Sequence, residues 1–136
     1  MRLINLLLMA ALAAPGAAAH AETGAAGWLR YARVRDVGQY RSIPAHVVAL
    51  DRSPAIQSAA REAVRGLSGM LGRPFSQDSF SSTTPEIVIG TVAEIQSRFP
   101  DWKPVSALKP EGYVIAKSGT DWIVAGTDAR GALYGT

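Results

Sequence analysis

Cysteine is absent from this 136-residue chain, and histidine occurs only twice, at His20 and His46. The absence of thiols excludes disulfide bonds, thiolate metal ligands and cysteine nucleophiles. Because His20 falls in a predicted targeting segment, His46 is the single histidine of the predicted mature chain. One imidazole without any thiolate is a poor basis for a zinc site, and we expect neither a metal nor another cofactor.

The chain also has little excess charge. Lysine and arginine together number 14 against 11 aspartates and glutamates, a formal net charge of +3. Removal of Arg2 with the targeting segment leaves 13 − 11 = +2. This balance gives no indication of binding to nucleic acid or to an anionic membrane surface.

No hydrophobic run is long enough to cross a bilayer. Leu3–Ala14 is apolar, but a membrane-spanning helix needs about 20 residues. With Arg2 before it and the site Ala19-His20-Ala21 after it, the run predicts a signal peptide over residues 1–21. An uncleaved anchor or a buried N-terminal helix is the alternative. We expect an exported protein, periplasmic or extracellular, without membrane contact after cleavage. The remaining 136 − 21 = 115 residues, 22–136, are enough for one domain.

The clearest predicted helix is Pro54–Leu71. Ser53 is placed to cap it, Pro54 suits its first position and Gly72 suits its C-terminal stop. Apolar residues recur along it at three- and four-residue spacing, which predicts one face packed on a sheet. That face comprises Ile56, Ala59, Ala60, Ala63, Val64, Leu67, Met70 and Leu71.

Four short apolar segments predict strands. Ala45–Leu50 and Glu86–Thr91 flank the long helix, and Gly112–Lys117 with Trp122–Ala125 predict a hairpin around turn residues. Val92–Phe99 predicts a short helix. With the final helix described next, the order β-α-β-α-β-β-α predicts an α/β (α+β) fold. We expect a mixed β-sheet covered by helices, with a parallel crossover between the first two strands.

Two other stretches carry predictions of their own. The polar stretch Arg73–Pro85 is predicted as a loop anchored by Phe75 and Phe80. Trp28–Val34 is apolar enough for a strand or for an extended clamp across a neighbouring surface.

The last predicted helix, Ala129–Thr136, follows a strand break at Gly126 and a cap at Thr127 or Asp128. It has no basic last turn and no following element, and isolated helices shorter than about 12–15 residues are marginal in water. We therefore expect that the chain breaks off within this helix and that Leu133 and Tyr134 are poorly covered.

Side chains that could carry chemistry are scattered. His46, Asp51 and Ser53 could be imagined as a triad, but a strand-edge histidine beside a helix cap favours a structural role. Glycosidase chemistry needs two carboxyl groups roughly 5–9.5 Å apart, and no pair is favoured by spacing, so we predict no catalytic residue. The carboxylates considered are Asp36, Asp51, Asp78, Glu86, Glu94, Asp101, Glu111, Asp121 and Asp128.

Gly126 and Gly131 lie between a strand and a helix, as in a phosphate-binding loop. Ala132-Leu133 stands where such a loop has lysine followed by serine or threonine. Turn and close-packing roles are therefore favoured for both glycines.

Aromatic and basic residues cluster near the start of the predicted domain. One interpretation is a carbohydrate or nucleic-acid platform. The other, which we favour, is an interdomain clamp in which the aromatic residues pack and the arginines face solvent or a second domain. The cluster comprises Trp28, Arg30, Tyr31, Arg33, Arg35 and Tyr40.

Three segments, Gly27–Val34 (GWLRYARV), Glu111–Ile115 (EGYVI) and Asp128–Thr136 (DARGALYGT), resemble the N-terminal domain of the family 67 α-glucuronidases. Those glycoside hydrolases remove glucuronic acid side groups from xylan fragments. Trp28–Tyr31 is the more specific signal, whereas Arg130–Gly135 is also similar to accessory domains of β-hexosaminidases. The resemblance covers about Trp28 to Thr136.

The resemblance implies a mixed α/β accessory domain in front of a (β/α)8 barrel that this chain does not contain. The barrel would carry the carboxylates that release (4-O-methyl)glucuronic acid from xylo-oligosaccharides with inversion, so this chain alone would be inactive. Its implied partner is that barrel, and glucuronoxylan oligosaccharides are the implied substrates of the intact enzyme. Candidates for packing against the barrel are Trp28, Tyr31, Leu133 and Tyr134. Two alternatives stay open: a free-standing carbohydrate-binding or scaffolding domain, and the accessory domain of another glycosidase such as a β-hexosaminidase.

Overall fold

The computed structural model describes residues 31–81, 83–104 and 107–136. The predicted signal peptide and Trp28 lie outside these ranges. The elements, in chain order, are a 3-10 helix Val37–Tyr40, β1 His46–Ala49, α1 Pro54–Leu71, β2 Ser76–Asp78, β3 Glu86–Thr91, α2 Val92–Arg98, β4 Tyr113–Ser118, β5 Asp121–Gly126 and α3 Ala129–Tyr134.

The five strands form one mixed sheet in the order β2-β1-β3-β5-β4. β2, β1, β3 and β5 run parallel to one another, and only the pairing of β4 with β5 is antiparallel. The hairpin between β4 and β5 turns at Gly119. Its φ of 61° lies in the left-handed region, which glycine adopts at little steric cost. The mixed α/β fold and the parallel pairing of the first two predicted strands are confirmed.

Helix α1 occupies the range that its capping pattern predicts. Pro54 stands at its start, and Gly72 ends it with φ 62° in the left-handed region, where its N–H bonds to the Ser68 carbonyl. Ser53 is the N-cap residue, as predicted, but its side chain makes no capping hydrogen bond. Instead, the backbone carbonyl of Ser53 accepts the first helical bond, from Gln57 N at 3.0 Å.

The sheet separates two apolar cores. The first lies between the sheet and α1 with α3, and the second lies beneath α2 and the following loop, where Trp102 is buried. Alternate residues of each strand serve opposite cores, as the pleat requires. In β3, for example, Ile87 and Ile89 belong to the first core and Val88 to the second.

Two segments differ from their predicted structure. The predicted loop Arg73–Pro85 contains the edge strand β2, whose three residues are all exposed and polar and therefore give no apolar signal. Phe75 is nevertheless buried, and Phe80 packs against the second core, as anchors of this segment. Residues 31–34 form no strand; they run along α1, with Val34 N bonded to the Met70 carbonyl at 2.9 Å.

No helix within the described ranges has the length and hydropathy of a membrane span.

Candidate functional surface

Tyr31 packs across the middle of α1. A Cβ atom added at Gly66 would lie 2.9 Å from the Tyr31 ring, and one added at Gly69 would lie 3.0 Å from the Tyr31 Cβ. The two glycines therefore create the shallow seat that receives the aromatic ring. Tyr31 therefore packs within this domain, and its predicted contact with a second domain stays a prediction.

Electrostatics fix the phenol in this seat. The Tyr31 hydroxyl donates a hydrogen bond to Glu62 Oε1, and the Arg65 guanidinium lies 5.7 Å from the centre of the ring. Burial, reinforced by the Glu62 carboxylate, raises the pKa of Tyr31 to about 12. The phenol is therefore neutral and acts as a hydrogen-bond donor at physiological pH.

The other described members of the aromatic–basic cluster do not assemble around Tyr31. Arg33 lies beside Gly72 at the C-terminal end of α1, while Arg35 is exposed and Tyr40 ends the 3-10 helix. The four described members of the cluster thus follow one another along the domain surface. A single stacking platform is not formed by them.

The junction between β5 and α3 is closed to a phosphate. Asp128 accepts hydrogen bonds from Arg130 N at 3.0 Å and Gly131 N at 2.9 Å, so these donors are taken by a carboxylate. A Cβ atom at Gly126 would lie 2.7 Å from the Gly131 carbonyl carbon. The glycines are needed for close packing, and Asp128 is confirmed as the helix cap.

The two predicted packing residues of the C-terminal helix, Leu133 and Tyr134, differ in burial. Leu133 is partly buried against the first core, while Tyr134 is 59% exposed. Beside Tyr134 on the hairpin, Tyr113 is 47% and Ile115 is 50% exposed. Few large apolar side chains are so exposed in the described ranges, and most of them lie here.

An apolar groove adjoins this exposed patch. It lies between α1, the β4–β5 hairpin and the end of α3, and its volume is about 210 Å³. Glu62 is the one charged residue among its described lining residues. The residues that shape it include Tyr31, Leu67, Met70, Ile115, Trp122 and Thr136.

His46 finds a partner other than the ones suggested by sequence proximity. Its Nδ1 lies 2.6 Å from Asp78 Oδ2, and Ser76 Oγ donates to the same carboxylate oxygen at 2.6 Å. These hydrogen bonds hold the pKa of Asp78 below its ordinary value, and the one from Ser76 has the larger effect. A nucleophilic triad needs the imidazole to use its two nitrogens for different partners. Here Ser76 and His46 meet on one carboxylate, so the cluster pins β2 to β1 and is not a triad.

Glu86 is the one buried charged residue in the described ranges, with 1% of its surface exposed. Its Oε1 accepts from Ser81 N at 2.7 Å, and its Oε2 has no described hydrogen-bond partner. Burial raises the pKa of this carboxyl, with nearby Asp121 as a smaller cause. A raised pKa is a mark of acid catalysts, but no open cleft exposes Glu86, so the carboxyl has no access to a substrate.

Most other carboxylates are engaged in local backbone or ion-pair contacts. Glu94 forms a capping box with Thr91 at the start of α2, a pattern that the spacing T-x-x-E could have predicted. Glu111 pairs with Arg130 at 3.1 Å, and Asp121 accepts from Glu86 N at 2.9 Å. Asp51 and Asp78 both line a wide cleft at the carboxyl ends of β1 and β2, but Asp78 is held there by Ser76 and His46. In the described ranges, no three potential metal ligands come together.

A second, wider cleft of about 710 Å³ lies at the carboxyl ends of β1 and β2. The ring of its aromatic lining residue, Phe80, already packs against two other side chains. The Arg98 guanidinium stacks 3.6 Å from the centre of the Phe80 ring, and the Phe99 ring meets it edge-on at a centroid distance of 6.0 Å. The cleft therefore offers no free aromatic face for a sugar.

Comparison with known proteins gives one consistent result. The family described as "Glycosyl hydrolase family 67 N-terminus" matches residues 27–136. Alpha-glucuronidase A of Emericella nidulans is 33% identical over an alignment of 138 positions that covers 97% of this chain and 16% of that relative. The Alpha-glucuronidase of Hypocrea jecorina is 35% identical and is covered to 16% of its length. The Probable alpha-glucuronidase A of Aspergillus niger is 37% identical over 123 residues, 14% of its length. The chain thus spans about a sixth of the length of these relatives.

Proposed function

Because the chain belongs to the family of glycosyl hydrolase family 67 N-terminal domains, we propose that it is the non-catalytic N-terminal domain of an exported α-glucuronidase. The intact enzyme would hydrolyse α-linked (4-O-methyl)glucuronic acid from xylo-oligosaccharides. The observation that carries this proposal is the match over residues 27–136, with relatives named α-glucuronidases that are about six times longer.

Hydrolysis with inversion requires a general acid at the glycosidic oxygen and a carboxylate base that activates water on the opposite face. The described carboxylates support a non-catalytic role for this domain. Asp128 and Glu94 cap helices, Asp78 holds β2, and Glu86 is buried. The two catalytic groups would therefore belong to the remainder of the enzyme.

The domain itself would brace that remainder. Its sheet carries an apolar core on each face, and most of the large apolar side chains exposed in the described ranges lie on β4 and α3, at Tyr113, Ile115 and Tyr134. Trp28 and Tyr31 are proposed to pack at the same junction. The wide cleft gives the alternative carbohydrate-binding role little support, because Phe80 has no free face.

The stereochemical outcome tests the proposed activity. Full-length enzyme should release 4-O-methylglucuronic acid from 4-O-methylglucuronosyl xylotriose, and proton NMR in the first minutes should show the β-anomer. The predicted mature chain 22–136 should release none under the same conditions. No glucuronic acid released by the full-length protein, or the α-anomer as first product, would contradict the proposal.

A further inference from the structure

The apolar groove beside Ile115 has an unusual composition for a surface that faces water. Its walls are formed by Leu67 and Met70 of α1 and by Ile115 and Trp122 of the hairpin. Its volume, about 210 Å³, is far above the ~10–15 Å³ that a single water needs. Such a space, lined mainly by carbon atoms, is poorly suited to ordered water, which needs several polar partners.

The groove continues onto the exposed patch. Ile115 belongs to both, and Tyr113 extends the apolar surface beyond the groove, because a Cβ atom at the lining residue Gly135 would lie 3.0 Å from the Tyr113 ring. Contiguous apolar surface of this kind is typical of a protein contact. The one charged lining residue, Glu62, already accepts from the Tyr31 hydroxyl and lies 3.7 Å from Arg65, so it does not select a charged partner.

The position of the groove within the chain favours one occupant. Gly135 and Thr136 form part of its lining, so any residue that follows them starts at its rim. The backbone there keeps a right-handed helical conformation, with φ −78° and ψ −11° at Gly135. A segment tethered at this point has a high effective concentration in the groove compared with a free partner. The relatives provide ample further polypeptide, since this chain covers about 16% of their length.

We propose that the apolar groove is the docking site for an apolar segment of the remainder of the full-length polypeptide. The inference rests on the proposed function, and it assigns the junction to a specific place. Ile115 and Trp122 receive the docked side chains, and Tyr134 lies at the margin of the buried area.

Thiol labelling of the full-length protein tests this assignment. The chain contains no cysteine, so Ile115→Cys introduces a thiol at a known place, and Gln77→Cys on the opposite edge strand β2 is the matched control. Labelling by a maleimide would be followed for the two peptides by mass spectrometry, in the native protein and in urea. In urea the two thiols should react at equal rates. In the native protein the thiol at position 115 should react at least about tenfold more slowly than the thiol at position 77, because a docked segment must open first.

Equal native rates at positions 115 and 77 would overturn the proposal. Protection at 115 that disappears on dilution, together with a dimeric mass, would assign the groove to a second copy and also overturn it. Where Ile115→Cys does not fold, Met70→Cys, at another lining residue of the groove, serves in its place. α-Glucuronidase activity measured on the same samples separates the two claims: an active enzyme without protection contradicts only the docking site, and a protected but inactive protein contradicts only the activity.

Discussion

Gly131 of α3 packs directly on the carbonyl oxygen of Gly112, so closely that a Cβ atom at position 131 would lie closer than 3.0 Å to that oxygen. The same carbonyl accepts a hydrogen bond from Thr127 N at 2.8 Å. Two backbone segments, the entry to β4 and the start of α3, are thereby held together. This contact sets how near the last helix can approach the hairpin.

Gly131→Ala should therefore destabilise the domain, because the obstructing atoms are backbone and cannot rotate away. Overpacking of this kind costs about 1–3 kcal/mol. Gly38→Ala is the matched control, since its Cβ would meet only the exposed Asp36 side chain. Urea unfolding of both variants measures the free energies. Equal small effects of the two substitutions would show that α3 can shift freely.

Glu86→Gln should alter the pH dependence of stability. Because burial raises the pKa of Glu86 above its ordinary value of 4.5, the folded state favours the protonated form. The stabilisation from proton uptake is complete below pH 4.5 and is lost as pH rises through the raised pKa. Wild type should thus gain stability relative to Glu86→Gln as pH falls from 7 to 4.5.

Urea unfolding at several pH values measures this difference. Glutamine keeps an acceptor for Ser81 N, so the variant should fold and be no less stable at pH 7. The carboxylate of Asp78, whose pKa is depressed, loses its contribution only at lower pH and is common to both proteins. A difference that stays constant from pH 7 to 4.5 would contradict the buried, desolvated position of Glu86.

Tyr31→Phe keeps the ring in its seat on α1 and removes the hydrogen bond to Glu62. The expected loss is about 1.5 kcal/mol, in the range for a bond to a charged group. Because the pKa of Tyr31 is raised from 10.0 to about 12, this contribution is complete below pH 10 and is lost as pH rises through about 12. Tyr134→Phe, at an exposed site, is the control and should have little effect. A Tyr31→Phe difference that does not shrink above pH 10 would contradict the raised pKa.

Export predicts a defined mature N-terminus. Ala19-His20-Ala21 behind a short apolar run predicts cleavage after Ala21. Mass spectrometry of the exported protein should find Glu22 as the first residue. Alteration of Ala21 to a large residue should slow processing, whereas alteration of Ala25 should not. An exported chain that still begins at Met1 would refute the signal peptide.

The elements that the sequence predicts best are those with local signals. Helix α1 has a proline at its start, a glycine at its stop and an apolar stripe between, and β3 is a continuous apolar run. These features depend on neighbours along the chain. The mixed fold followed from their order, and the family resemblance carried by Trp28–Tyr31 and Arg130–Gly135 is confirmed.

The features that the sequence did not predict depend on distant partners. Strand β2 is polar and short, and it exists because β1 offers an open edge. The pairing of His46 with Asp78 joins residues 32 positions apart. Likewise, the groove around Ile115 arises only when α1, the hairpin and the end of α3 meet. No local pattern encodes such contacts.

The most direct test of the central claim, that this domain supports catalysis without touching the substrate, is the effect of Trp28→Ala on the full-length enzyme. The free energy of unfolding should fall by a few kcal/mol, as for a buried large aromatic residue. The kcat and KM of the folded fraction for 4-O-methylglucuronosyl xylotriose should stay nearly unchanged. Unaltered stability with a KM raised about tenfold, equivalent to about 1.4 kcal/mol of binding, would show that Trp28 contacts sugar and would contradict the account.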